Sequence, residues 1–239
     1  MAPGATTAET PGGRRSGWVA SAIVAVATIV VLVGIALAPF LNPIWVGFGQ
    51  ERAGADAWTG WPMATVHEVT NAMLADLVIG PPDFDQVVAG ESVLNDREVG
   101  HMRDVRTVFL GFALAVAVSV GAIAVAWRVA GGGAVWRGVR FGAVTLIAGV
   151  LALGILAAVA FETLFEIFHR IFFSSGSYTF DPATERLVQL FPMSFWFETS
   201  IALGVVLVTL GVIALVLAER RRRPAGAAAS APAEARPGL

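Results

Sequence analysis

Four stretches of this 239-residue chain are long, apolar and almost free of charge. The first, Gly17–Phe40, is 24 residues long. As a helix it would extend about 36 Å, enough to cross a ~30 Å hydrocarbon core with some tilt. Val108–Trp127, Phe141–Phe161 and Phe195–Ala218 come next, the last interrupted only by Glu198. The pattern predicts an all-α membrane protein: a four-transmembrane-helix bundle with spans at about 17–40, 108–127, 141–161 and 195–218. The first run also has signal-peptide features, with Arg14 and Arg15 before it and Ala36-Leu37-Ala38 as a candidate cleavage site. It exceeds the roughly 7–15 residues of a signal core, and Pro39 would follow the cut directly. A retained span is therefore expected.

Two intervening segments have patterns of their own. Residues 41–106 are too long for a simple connection and too apolar for a disordered one. Trp45, Phe48, Trp58, Trp61, Met63, Leu74, Leu77, Val78 and Ile79 can seat this segment on a membrane interface. Thr65–Val78 reads as a helix with Val66, Val69, Met73 and Leu77 on one stripe, stopped by Gly80-Pro81-Pro82. Asn95-Asp96 is positioned to cap a further helix through Glu98, His101 and Arg106 into the second span. A small, mostly helical outer cap is expected here. Residues 162–194 form an outer aromatic segment: 11 of the chain's 23 aromatic side chains lie between Phe161 and Phe197, including its only tyrosine, Tyr178. An interfacial aromatic belt accounts for some of them. A packed apolar pocket for acyl chains or glycerol accounts for the density, and both readings stand.

Charge placement sets the direction. Arg14 and Arg15 flank the first span, Arg128, Arg137 and Arg140 lie between the second and third, and Arg220–Arg223 come after the fourth. Positive residues favour the cytoplasmic side, so these segments share it, and both termini are expected inside. Residues 41–106 carry ten acids against four arginines and belong outside. Residues 1–16 and 219–239, rich in Ala, Pro and Gly apart from the Arg220–Arg223 run, are expected to be disordered cytoplasmic tails. The connection at Gly131-Gly132-Gly133 is short, and Gly138-x-x-x-Gly142 suits close helix packing. No internal repeat is evident. Expected localisation is a bacterial cytoplasmic membrane, multi-pass.

Composition narrows the chemistry. Charged residues make up 14% of the chain and apolar ones 56%; soluble proteins usually carry about 25% charged. No cysteine is present, which excludes disulfides, thiolate catalysis and Cys-ligated metals. There is no Gly-x-Ser-x-Gly, no phosphate-binding loop and no basic outer face for nucleic acid. All 16 basic residues are arginine, a pattern that reads as genomic base composition.

Three histidines remain as candidates. His67 lies on the expected cap helix and reads as packing. His101 precedes the second span and His169 follows the third. Span two enters from outside and span three returns there, so both histidines reach one depth, the outer interface. Glu162, Glu166 and His169 fall at i, i+4 and i+7, one helix face. Carboxylates near the membrane core usually face a polar interior. A carboxylate can hold one ring nitrogen of a histidine and make the other a better base; Asp104, three residues beyond His101, is placed for that part. Glu98-x-x-His101 and Glu166-x-x-His169 also invite a metal reading. Four-helix di-iron proteins add a Glu from each of two other helices, and the first span has no acid, so the set is incomplete.

The string His101-Met102-Arg103-Asp104-Val105 resembles a His-Met-x-Asp-Val motif. Phe168-His169-Arg170-Ile171-Phe172-Phe173, Phe180-Asp181-Pro182 and Leu187-Val188-Gln189-Leu190-Phe191-Pro192 resemble a second block of the same family. These residues resemble the bacterial lipoprotein intramolecular transacylase family, first catalogued as an uncharacterised family of four-span integral membrane proteins. The likeness covers residues 17–218. Tyr178 stands where that pattern is expected to carry Trp, and Glu185 where it is expected to carry Asp. The resemblance implies two catalytic histidines, His101 and His169, at a cap–membrane interface. It implies transfer of the sn-2 acyl chain of a lipoprotein's diacylglyceryl-cysteine to that cysteine's own α-amino group, giving a lyso-form lipoprotein. Asp104, Glu166, Glu98, Glu162 and Arg103 are expected to orient or support the pair, and Phe168, Phe172, Phe173, Tyr178 and Phe180 to line the pocket. No cofactor and no metal are expected. The expected partners are a diacylated lipoprotein N-terminus and membrane lipid, with no nucleic acid and no protein partner assigned. A non-enzymatic membrane scaffold and a metal-dependent oxidoreductase are the competing classes.

Overall fold

The computed structural model describes residues 11–174 and 176–222. Helix α1 (Pro11–Leu37) runs through the first apolar stretch and ends in a 3-10 turn, Ala38–Leu41. Residues 11–16, expected within a disordered tail, are helical, since proline is tolerated in the first helical turn. Residues 1–10 and 223–239, expected to be disordered, lie outside the described residues.

The second and third apolar runs belong to one element, α5 (Asp96–Phe172), broken at Gly131 with φ 76° and ψ 168°. That combination is open essentially only to glycine, so one residue turns the chain and the expected 13-residue connection shrinks to a point. The arms, 96–130 and 132–172, run back along each other. Trp127 meets Trp136 edge-on at 6.0 Å near the turn, and His101 faces His169 at the other end. A second break, at Ala160 (φ −148°, ψ 41°), redirects the end of the second arm.

Helix α1 seats the hairpin. A Cβ on Gly138 would come within 2.6 Å of the Ser21 carbonyl oxygen, and one on Gly142 within 2.5 Å of that of Ala25. The small residues thus let two backbones touch, as their spacing suggested. The Ser21 hydroxyl lies 2.9 Å from the carbonyl oxygens of both Gly17 and Ala134 and donates between them. Helix α7 (Met193–Arg222) packs on the second arm through Leu207 and Gly211, and Arg140 pairs with Glu219 near its end. Among the described residues three helices (α1, α5 and α7) are long and apolar enough to cross a membrane, and α5 contributes two arms.

The segment between α1 and α5 folds as α2 (Pro43–Ala53), α3 (Ala55–Thr59), α4 (Met63–Val78) and a two-residue antiparallel hairpin, β1 (Val87–Val88) with β2 (Glu91–Ser92). Asn42 caps α2 by accepting from the Ile44 and Trp45 amides. The α4 stripe Val66, Val69, Met73 and Leu77 is buried as its period predicts. It packs with Phe84, Val93, Leu94 and Met102, and with Leu187 and Leu190 of α6 (Arg186–Leu190). This core therefore ties α4, the loop after it and α6 to the first turns of α5. The aromatic segment expected over 162–194 is mostly helical, because α5 continues eleven residues past Phe161 before α6 and α7 begin.

Candidate functional site

His101 and His169 converge as the expected topology requires. Their rings lie 6.0 Å apart, centroid to centroid, inclined by 27°, and both side chains are buried. The hairpin makes this meeting between opposite arms; the arm that carries His169 is the longer by eight residues, and it is the one broken at Ala160.

Local structure fixes the ring of His169. Its Nδ1 lies 2.7 Å from the Phe165 carbonyl oxygen, one helical turn back. A carbonyl only accepts, so Nδ1 carries the proton and Nε2 keeps a lone pair in the neutral ring. The Phe165 ring stands 4.2 Å from the imidazole, Phe173 5.5 Å and Tyr178 5.2 Å, and Phe168 meets it edge-on at 5.4 Å. His101 is bordered by Phe173 at 4.8 Å and Phe180 at 5.4 Å. Its Nδ1 is buried and, among the described residues, has no hydrogen-bond partner. Of the expected lining residues, Phe172 meets Phe168 at 4.9 Å, tilted by 45°, and pairs with neither histidine ring.

The pair lies outside the apolar runs 108–127 and 141–161. Burial pushes His101 down to about 4, aided by repulsion from His169 and opposed by Asp104. Burial also lowers His169, opposed by its bond to the Phe165 carbonyl. Both rings are therefore neutral near pH 7.

The carboxylates expected to orient the histidines have other occupations. Glu98 is 1% exposed. It closes a capping box with Asn95, accepting from the Asn95 amide at 2.8 Å, and accepts from the Leu187 amide at 2.7 Å. It fastens α6 to the start of α5 and leaves the ring of His101 alone. Glu166 accepts from Arg170 at 2.6 Å, an i, i+4 pair; both partners are exposed. Glu162 and Asp104 are exposed as well. Asp104 influences His101 by charge without bonding to it. Arg103 donates to the Pro82 carbonyl at 2.9 Å, pinning the loop after α4 beside the site. The glutamates of the two Glu-x-x-His units therefore do not join the histidine pair, and among the described residues no group of three or more His, Asp or Glu is placed to hold a metal ion.

Sequence reasoning missed two supports. Phe165 is the nearest ring to His169 and supplies its carbonyl partner; its i−4 spacing was a readable signal. Glu185 accepts from Arg97, Asn95 and the Asp181 amide, and the Arg97 guanidinium lies 5.1 Å from the centre of the Phe180 ring. That network spans about 90 positions, and nothing local announces it.

Fold and site together define a helical membrane protein with a neutral histidine pair enclosed by aromatic rings. The family model for lipoprotein intramolecular transacylase Lit matches residues 19–196, and the chain belongs to that family. An uncharacterised protein of Aquifex aeolicus (strain VF5) is 31% identical over 133 residues, 53% of this chain. That match spans 56% of the Aquifex protein, somewhat over half its length. The crystal structure of membrane integral lipoprotein intramolecular transacylase Lit from Bacillus cereus superposes with a TM-score of 0.73 over 87% of this chain and 96% of that one. Two variants of the Bacillus protein, with one histidine replaced by alanine or by arginine, give 0.69 and 0.65. Identity to all three is 13%, so that likeness is one of fold.

Proposed function

We propose that this chain is a membrane acyltransferase that moves the sn-2 acyl chain of a lipoprotein's diacylglyceryl-cysteine to that cysteine's own α-amino group. The observation that carries the reading is the convergence of His101 and His169 at one buried level, joined to membership of the transacylase family.

The geometry supports a division of labour. The amine nitrogen attacks the sn-2 ester carbonyl, and a C–N bond forms. His169 Nε2 takes the amine's proton, its Nδ1–H held by the Phe165 carbonyl as the ring becomes cationic. His101 stays neutral and donates from Nε2 to the oxyanion, as a neutral imidazole can when its pKa is depressed. The tetrahedral intermediate then collapses: the ester C–O bond breaks, and the proton on His169 passes to the glyceryl oxygen as it leaves. Products are an amide and a glyceryl hydroxyl. No acyl-enzyme forms, and no nucleophilic side chain is required. Donor and acceptor belong to one molecule, so confinement supplies effective molarity. Glu98 and Arg103 support the site at one remove.

Topologically, we read four spans: the apolar runs 17–40 along α1, 108–127 and 141–161 on the two arms of α5, and 195–218 of α7. The segment 38–95, with α6, forms an outer cap, and both termini face the cytoplasm of a bacterium. Arginine placement favours this orientation.

The test is direct. His101→Ala and His169→Ala should each abolish lyso-lipoprotein formation in a host that makes diacyl lipoproteins, while the protein stays in the membrane. Mass spectrometry of lipoprotein N-termini reads the product. Full activity in either variant would sink the assignment and favour a scaffold.

A further inference from the structure

Two successive turns of α5 touch one aromatic ring. Arg97 and His101 stand four residues apart, on the same helix face. The Arg97 guanidinium lies 5.1 Å from the centre of the Phe180 ring, and the His101 imidazole meets that ring edge-on at 5.4 Å. Phe180 sits outside any helix, in the irregular stretch between α5 and α6, and is half-buried. Regular backbone structure therefore does not hold it. Glu185 does so indirectly. This buried carboxylate accepts from Arg97 at 2.5 Å and from the amide of Asp181, the residue after Phe180, at 2.6 Å. One side chain thus anchors both the cation beside the ring and the backbone next to it, and a cation is drawn to the ring face. Phe173, the other ring against His101 besides its histidine partner, is buried and is the C-cap of α5. Phe180 is the cover that needs holding.

We propose that Arg97 is a positioning residue for the reaction: with Glu185 it clamps the Phe180 ring against His101 and keeps water from the imidazole. Its catalytic meaning rests on the transacylase reading, but the clamp itself can be read without turnover. The charges that act on His101 are those of His169 across the pair and Asp104 on its own helix, and burial outweighs both. Uncovering the ring is therefore the change that the imidazole would report.

The chain has three histidines, so the full-length protein made with isotope-labelled histidine gives few imidazole signals in nanodiscs. The signal missing from His101→Asn belongs to His101. In Arg97→Gln its titration midpoint should rise by about one pH unit or more towards the ordinary 6.5, as water reaches the ring. Loss of a nearby positive charge would raise it too, and a second background separates the two causes. Phe180→Leu keeps an apolar side chain but offers no ring face to a cation. In that background Arg97→Gln should move the midpoint by less than half as much, whereas a direct charge effect would persist in full. An unchanged midpoint in Arg97→Gln, or an equal shift with and without the ring, overturns the clamp. On a diacylglyceryl lipopeptide, Arg97→Gln should show the acid-side steepening of kcat/KM at a higher pH than the wild type. A wild-type chain inert on that lipopeptide would refute the transacylase reading and the catalytic role with it, while the titration still decides whether the clamp exists.

Discussion

A single carbonyl decides how His169 behaves. The Phe165 oxygen holds the Nδ1 proton, and burial lowers the pKa of both rings. This sets a pH dependence. The reacting amine must be neutral, and an α-amino group titrates at roughly 7.7–8.0. Log kcat/KM should therefore fall with a slope of one below that value. Histidines of ordinary pKa would steepen the fall near pH 6.5. A ring whose pKa is lowered protonates further down, so the steepening should come below pH 6.5. A pH–rate profile on a defined lipopeptide checks this, and steepening at or above 6.5 would show the rings to be unperturbed. The histidines were legible in the sequence because topology alone places them at one level. The roles of the acids were not. Glu98 finds the amide of Leu187 across 89 positions, and helical periodicity carries no trace of a partner on another segment.

At the scale of elements, glycines govern the packing. Gly138 and Gly142 bring α5 onto the carbonyls of α1, where no side chain fits. Gly142→Leu should destabilise the protein by about 1–3 kcal/mol or more, the usual cost of overpacking. Gly149→Leu, in open space, should cost little. Chemical unfolding in detergent compares the two, and equal stability would deny the close contact. The Gly-x-x-x-Gly spacing was visible in the sequence, and so were the α4 stripe and the Asn95 cap. The one-residue turn was not. Three consecutive glycines announce a flexible link, and only tertiary packing of Val24 with Ala126 and Val135 on either side selects Gly131 as the corner.

For the whole molecule, the corner makes arm length a catalytic variable. Removing one residue from a helix shifts the residues beyond the deletion by about 1.5 Å and rotates them by roughly 100°. Deleting Ala124 should therefore turn His101 away from His169 and abolish lyso-lipoprotein formation, although the apolar run remains long enough to span. Persistent activity would mean that the pairing is set by the core around Met73, Met102 and Leu190 alone. The expectation rests on the buried contacts of both arms with α1, which leave little room for slippage.

The same corner has a consequence for bilayers of different thickness. Two separate helices would answer a thicker or thinner membrane by tilting independently, and residues at their far ends would drift apart. Here both arms hang from one glycine and share one seat on α1, so they tilt as a unit. Membrane thickness then changes the level of the histidine pair relative to the headgroups, while the mutual spacing of the two rings stays constant. The hairpin keeps the reacting pair in register and lets only its level vary.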